Sequence, residues 1–171
     1  MIQLAFEPAF DPFHGAFRLL RQAIFRGSKY STVSRAKLTD FFVAEPRRCL
    51  DIRVPPALKG AAKRAAATQV PTYGRRPSAS NLFNRMGPMQ DAALQTLVLQ
   101  GILDADAYSR GFFTISAEAL PADLAGRIAD SNLKQHDLME FLCIRLDEIP
   151  YDGINGLKHR TGLAEYRYDI V

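Results

Sequence analysis

The chain has no tryptophan and only two cysteines, Cys49 and Cys143, in 171 residues. Two thiols so far apart in sequence cannot build a disulfide scaffold, and they leave no Cys-x-x-Cys pair for a metal or redox centre. Both sit in apolar segments, so reduced, buried thiols and a cytoplasmic location are expected. Long hydrophobic runs are missing too. No stretch approaches the roughly 18–20 apolar residues that a membrane span needs, and Met1 to Pro8 has neither a basic region nor a long apolar core, so no signal peptide is expected. His14, His136 and His159 fall in three separate segments without the His-x-x-x-His spacing that places two ligands on one helical face. There is no Gly-x-Ser-x-Gly elbow. Gly153-x-x-Gly156-x-Lys158 lacks the four-residue spacer and the hydroxyl residue of a phosphate loop, so its glycines are read as turn formers. Asp147 and Glu148 are neighbours that point to different helical faces, which predicts a solvated surface rather than a shared metal. His14, three residues after Asp11, is given a structural role. No catalytic residue, metal or cofactor is expected, and a small hydrolase or nuclease is disfavoured.

What is present is ordinary globular composition, 47% hydrophobic and 23% charged. A globule of this length buries about 70% of its unfolded surface, enough for one core. A single domain spanning 1–171 is expected. The charge is unevenly placed. Residues 18–85 hold 15 Lys/Arg against three acids, whereas residues 86–171 hold seven against 13. The excess is densest from Arg47 to Arg85. A solvated face is the plain reading of such a run. Tyr73 and Arg75-Arg76 in a Pro/Gly/Ser stretch favour instead a mobile basic loop for a polyanion. On charge alone the candidate nucleic-acid contacts are Arg47, Arg48, Arg53, Lys59, Lys63, Arg64, Arg75 and Arg76. The acidic second half suits a basic partner protein.

Periodicity supplies the elements. Phe13, Phe17, Leu20 and Ile24 mark one face of a helix entered at Asp11-Pro12 and left at Gly27, with Arg18 and Arg21 off that face. A second helix from Ser34 turns Leu38, Phe41 and Phe42 inward and stops at Pro46. Phe10, Phe13, Phe17, Phe41 and Phe42 read as core, each worth about 3–5 kcal/mol if fully buried. Residues 57–69 favour helix but lack large apolar anchors, so a lightly packed helix is expected. Ser80 caps a short helix, Gly87-Pro88 breaks the chain, and a further helix runs from Met89 to about Gly101. Ile102-Leu103 and Gly111 to Ile115 read as the two strands of a hairpin across an acidic turn. Pro121 opens a last helical region, interrupted at Asp130-Ser131-Asn132 and resuming with Leu138, Phe141, Leu142, Leu146 and Ile149. The fold class is α+β, mainly helical: a winged-helix-like core over about 10–116 with one β-hairpin wing and a basic 55–80 segment, then a C-terminal helical extension, 120–171.

Four stretches together resemble a known family. They are Phe10-Asp11-Pro12-Phe13-His14 with Phe17-Arg18-Leu19-Leu20; Leu38-Thr39-Asp40-Phe41-Phe42 ending at Pro46; Met86-Gly87-Pro88-Met89-Gln90-Asp91-Ala92-Ala93-Leu94; and Tyr151-Asp152-Gly153 through Gly156-Leu157-Lys158, Arg160-Thr161-Gly162-Leu163 and Tyr168-Asp169. In order and spacing the set resembles the small middle component of bacterial ABC three-component systems, a group that includes the accessory subunit of Lamassu-type anti-phage and anti-plasmid defence. The resemblance implies a non-enzymatic subunit beside an SMC-like ABC ATPase and an effector, often a nuclease, in a complex that senses foreign DNA. On that reading Gly153, Gly156, Leu157, Lys158, Arg160 and Leu163 dock on the ATPase or effector. The competing expectation is a stand-alone winged-helix transcriptional regulator that binds a defined duplex as a dimer.

Overall fold

The computed structural model describes residues 8–27, 31–69 and 77–163. Asp11-Pro12 opens the first helix as its chemistry predicts: an Asp11 carboxylate oxygen accepts from the Phe13 amide at 2.8 Å. Helix α1 (Pro12–Arg26) ends at Gly27, whose φ of 64° suits glycine. Its inward face is wider than the expected one: Leu20 is buried and Phe17 and Ile24 pack half-buried against the core as their spacing predicts, but the first residue of the stripe does not. Phe13 is 80% exposed. The helix buries Gly15, Arg18, Leu19, Leu20, Arg21, Gln22, Ala23 and Arg26. The reason is local: Gly15 has no side chain, so Ala93 comes close enough to meet a Cβ there at 3.5 Å. The surrounding helices also offer polar partners to the long cations on this face.

Strand β1 (Ser31–Thr32) leads into α2 (Val33–Ala44). Thr32 caps α2, its hydroxyl accepting from the Arg35 amide at 3.2 Å. The helix therefore starts one residue before Ser34. Leu38, Phe41 and Phe42 are buried as their spacing predicts. Pro46 opens a 3₁₀ turn, Pro46–Asp51, that buries Cys49. Helix α3 (Lys59–Ala67) is the 57–69 segment, and it is not lightly packed. Ala62, Ala65 and Ala66 are buried against that turn and against the later helix at His136–Glu140. Methyl side chains let the backbones approach closely, so small residues seat this helix where large anchors were expected.

Helix α4 (Ala79–Leu99) is capped by Ser78 and runs unbroken through Gly87-Pro88. An interior proline costs a helix about 3 kcal/mol. Here Leu82 and Met86 bury on one side of it and Leu94 and Leu97 on the other, and each such side chain contributes roughly 1.5–3 kcal/mol. Burial wins. The expected hairpin is also redrawn. Residues 104–111 are no simple turn: Asp104 caps a short helix, α5 (Ala105–Ser109), accepting from the Ala107 amide at 2.6 Å. Strand β2 (Phe112–Phe113) pairs antiparallel with β1, Ser31 opposite Phe113 and Thr32 opposite Phe112, while Leu103 meets Ile115 in a single antiparallel bridge.

Helix α6 (Ala122–Lys134) continues through Asp130-Ser131-Asn132 and ends at Gln135. The expected break does not occur because Asn132 is held by α1. Helix α7 (His136–Glu140) passes into a wider π turn, Phe141–Arg145, and a 3₁₀ turn, Leu146–Glu148. Helix α8 (Leu157–Thr161) closes the described chain. The molecule is mainly helical with one small two-stranded antiparallel sheet. Two apolar clusters form. One gathers Phe41, Phe42, the α3 alanines, Met86, Phe141 and Leu142; the other gathers Leu19, Leu20, Leu94, Leu97, Leu103, Phe113 and Ile128. Among the described residues no helix is long and apolar enough to cross a membrane.

Both thiols are free and fully buried. Burial pushes Cys143 up to about 11 from an ordinary 9.0, and raises Cys49 as well. The unfolded chain ionises first, so this contribution to stability is intact below pH 9.0 and is lost as the pH rises toward about 11. A thiol reagent at pH 8 is therefore expected to label neither cysteine faster than the protein unfolds, and prompt native-state labelling of either would contradict the packing.

Candidate functional site

Much of the cationic excess in the first half of the sequence points inward. Arg18 donates from Nε to the buried Asp40 carboxylate at 2.7 Å. Arg21 donates to the Asn132 side-chain oxygen at 3.0 Å, and Asn132 donates back to the Arg21 carbonyl at 3.1 Å. Arg26 grips Asp147 with two hydrogen bonds, at 2.9 and 3.2 Å, and reaches Gln22 at 2.8 Å. Arg35 reaches the same Asp147 at 3.2 Å and the Ile149 carbonyl at 2.7 Å. Lys37 pairs with Asp91 at 2.7 Å. Arg18 and Arg21 are thus buried rather than off the packed face, and Asp147 is an internal anchor rather than part of a solvated surface. Burial lowers the pKa of Arg21 and Arg35. It opposes the charge on Arg26 too, but Cys143 and the bonded Asp147 more than offset it, so that pKa is raised. Part of the lopsided charge is neutralised between the halves, by Asp147 against Arg26 and Arg35 and by Asp91 against Lys37.

The remaining cations are sorted by their surroundings. Arg48 donates to the Pro77 carbonyl at 2.6 Å and lies 3.5 Å from Glu45, which holds it against the body. Arg53 donates to the carbonyls of His159 and Arg160, and Arg160 answers with bonds of 2.6 Å to the Arg53 and Asn155 carbonyls. Both side chains form a clasp between the start of the basic region and α8. Lys59, Lys63 and Arg64 are exposed on α3, with Arg64 3.6 Å from Asp137. Arg47 is half-buried on the turn that packs against α3, its backbone amide donating to Gln69. Arg75 and Arg76, with the loop expected around them, lie outside the described residues.

In the C-terminal segment, Leu157 and Leu163 are buried and belong to the first apolar cluster. Gly156 is enclosed: a Cβ there would lie 2.7 Å from the Tyr151 carbonyl oxygen. Gly153 and Gly162 have φ of 96° and 66°. The Leu157 and Lys158 amides donate to the Pro150 and Tyr151 carbonyls at 2.8 and 3.0 Å. Four of the six expected docking residues (Gly156, Leu157, Arg160 and Leu163) therefore anchor the segment. Its outer turn carries Gly153 and Ile154, the latter 85% exposed. Gly156→Ala is expected to cost about 1–3 kcal/mol by forcing that turn open, measured by urea unfolding; no change would mean the turn is loose.

One cluster carries no signal in the histidine spacing. His136, Asp137 and Glu140 bring ligand atoms within 4.8 Å of one another. Only one of the three is a histidine, and carboxylates take the other places. Asp137 lies beside Arg64, and Glu140 is bonded by Arg145 at 3.1 Å. Those cations already balance the cluster's charge.

The family model for the ABC-three-component (ABC-3C) system middle component 5 matches residues 4–169. No curated protein and no solved structure matches the chain. With almost its whole length inside that match, the chain belongs to the middle component 5 family of ABC-three-component systems.

Proposed function

We propose that the chain is a non-catalytic accessory subunit that joins an SMC-like ABC ATPase to its effector in a Lamassu-type anti-phage or anti-plasmid complex, and that it touches DNA. The carrying observation is the family match across residues 4–169; membership of such a system entails partnership with its other components. DNA phosphates contact Lys59 and Lys63, which share a face at four-residue spacing on α3, together with Arg64, Arg47 and, from the same basic stretch of sequence, Arg75 and Arg76. The turn carrying Gly153 and Ile154 docks on the ATPase or effector. The Arg53–Arg160 clasp supports this division of labour, because it joins the start of the basic region to the docking segment by direct hydrogen bonds. Both apolar clusters draw on α4, which supports one domain.

In the assembled complex, Lys59→Gln with Lys63→Gln is expected to weaken DNA binding and flatten the log–log salt dependence by about 0.9 for each phosphate no longer neutralised. Arg75→Ala with Arg76→Ala gives a second arm. Unchanged affinity and slope in both arms would remove DNA contact from this subunit.

A second reading, a self-sufficient winged-helix regulator, is favoured by one observation: β1 lies between α1 and α2, yet pairs with a strand that follows α4. It requires the isolated chain to bind a defined duplex at least about a thousandfold more tightly than bulk DNA. Weak, sequence-independent binding by the isolated chain favours the accessory reading.

A further inference from the structure

Arg53 and Arg160 keep their charge with no acid beside them. Arg18, Arg26, Arg35, Arg48, Arg64 and Arg145 each pair with a carboxylate. The clasp is built from carbonyls instead. Arg53 donates from Nε to the Arg160 carbonyl at 3.3 Å and from Nη2 to the His159 carbonyl. Arg160 donates from Nη1 to the Arg53 carbonyl and from Nε to the Asn155 carbonyl, each at 2.6 Å. Asp51, close to Arg53 in sequence, and Asp152 are both exposed. Among the described residues neither they nor any other acid pairs with the two arginines.

Carbonyls hold a guanidinium in place without neutralising it. All four side-chain bonds lie at the surface, and they leave Arg53 Nη1 and Arg160 Nη2 without a partner among the described residues. Two fixed, uncompensated forks of donors suit carboxylates, which arginine binds through paired hydrogen bonds.

A large apolar side chain stands next to them. Ile154, 85% exposed, precedes Asn155, whose carbonyl Arg160 holds. That exposure is built into the backbone. The Gly156 amide donates to the Gly153 carbonyl at 2.9 Å, closing a turn with Ile154 and Asn155 at its centre. The Leu157 amide ties the turn to the Pro150 carbonyl at 2.8 Å. A display ordered in advance loses little freedom when a partner covers it.

The two features together select the occupant. A DNA backbone would neutralise the arginines and leave Ile154 in water. A protein segment with carboxylates beside an apolar side chain satisfies both, and arginine is enriched among the residues that dominate protein interfaces. We propose that the Ile154 turn and the Arg53–Arg160 clasp form one docking surface, and that its occupant is an acidic segment of the ATPase or effector. Carboxylates of that segment meet Arg53 Nη1 and Arg160 Nη2, and an adjacent apolar residue covers Ile154. The inference rests on the accessory reading, and it moves Arg53 from the expected DNA contacts to the protein contacts.

The test is calorimetric titration of the full chain with the purified ATPase and, separately, the purified effector of its own system, at several salt concentrations. Saturable binding to one of them is expected, weakening as salt rises. Ile154→Ser is expected to weaken it about tenfold, with the salt slope and the unfolding temperature unchanged. Arg53→Gln is expected to weaken it about tenfold and to flatten the slope. The Arg53 amide still donates to the Arg160 carbonyl at 3.1 Å, so α8 keeps a backbone attachment in that variant. Lys59→Gln with Lys63→Gln should leave protein binding unchanged, which separates this surface from the proposed DNA face. Undiminished binding by either Ile154→Ser or Arg53→Gln overturns the proposal and leaves the accessory reading standing. An Arg53→Gln chain that loses affinity only for a mixed-sequence duplex assigns the clasp to phosphates and overturns it too. A wild-type chain that binds neither component overturns both.

Discussion

Asp147→Asn is expected to lower the unfolding free energy by about 3–5 kcal/mol, the usual penalty for removing one partner of a buried ion pair. Asp147 is the common counter-charge of two guanidiniums, at 2.9 Å from Arg26 and 3.2 Å from Arg35. Arg26 cannot turn to water, since its side chain is 1% exposed. Without the carboxylate charge, two neighbouring cations remain uncompensated between α1, α2 and the turn at Leu146–Glu148. The carboxylate closes a contact across 121 positions of sequence, so its loss loosens the turn at Leu146–Glu148 against the N-terminal helices. Replacing Arg26 and Asp147 together by apolar residues of similar size is expected to recover much of the loss, because the desolvation of both charges disappears with their attraction. Urea unfolding of the four members of that cycle measures it. A single substitution costing under about 0.5 kcal/mol would place the pair in solvent and contradict the packing.

Phe41→Ala is expected to cost about 3–5 kcal/mol, and Phe13→Ala almost nothing. Phe41 is fully buried and makes edge-on contacts with Phe42 at 5.1 Å and with Phe83 at 5.6 Å. Truncating it opens a cavity where α2 meets α4, and the surrounding helices cannot collapse to fill it. Phe13 stands on the first turn of α1, largely in solvent. The two residues look alike in sequence, each on an apolar helical spacing. Equal costs for the two would show that Phe13 is packed inward with the rest of its stripe.

That contrast shows what the residues could reveal unaided. Caps and stops were legible because their chemistry is local: Asp11 with Pro12, Gly27 and Pro46 act on the adjacent backbone wherever the rest of the chain goes. The inward side of α2 was legible because Leu38, Phe41 and Phe42 have no polar competitors at their spacing. The inward side of α1 was legible only in its apolar part, Phe17, Leu20 and Ile24, because Arg18, Gln22 and Arg26 become interior residues only when Asp40, the Ala36 carbonyl and Asp147 are brought to them. Local rules likewise break α4 at Gly87-Pro88 and α6 at Asp130-Ser131-Asn132. Both helices continue because distant partners reward continuity. The pairing of β1 with β2 joins segments some 80 residues apart, beyond the reach of any hairpin rule. Of the candidate site, the exposed lysines of α3 were visible in the charge run. The internal engagement of Arg48 and Arg53 was not, since their partners are backbone carbonyls that carry no sequence signal.

The accessory role is tested most directly by co-expressing the chain with the ABC ATPase and effector of its own system and purifying through the ATPase. The three are expected to elute as one complex. Omitting the chain should leave the ATPase unable to retain or control the effector, and substituting Ile154 by aspartate on the exposed docking turn should release the chain from an otherwise intact preparation. An ATPase and effector that assemble and respond to DNA equally well without this subunit would contradict the account.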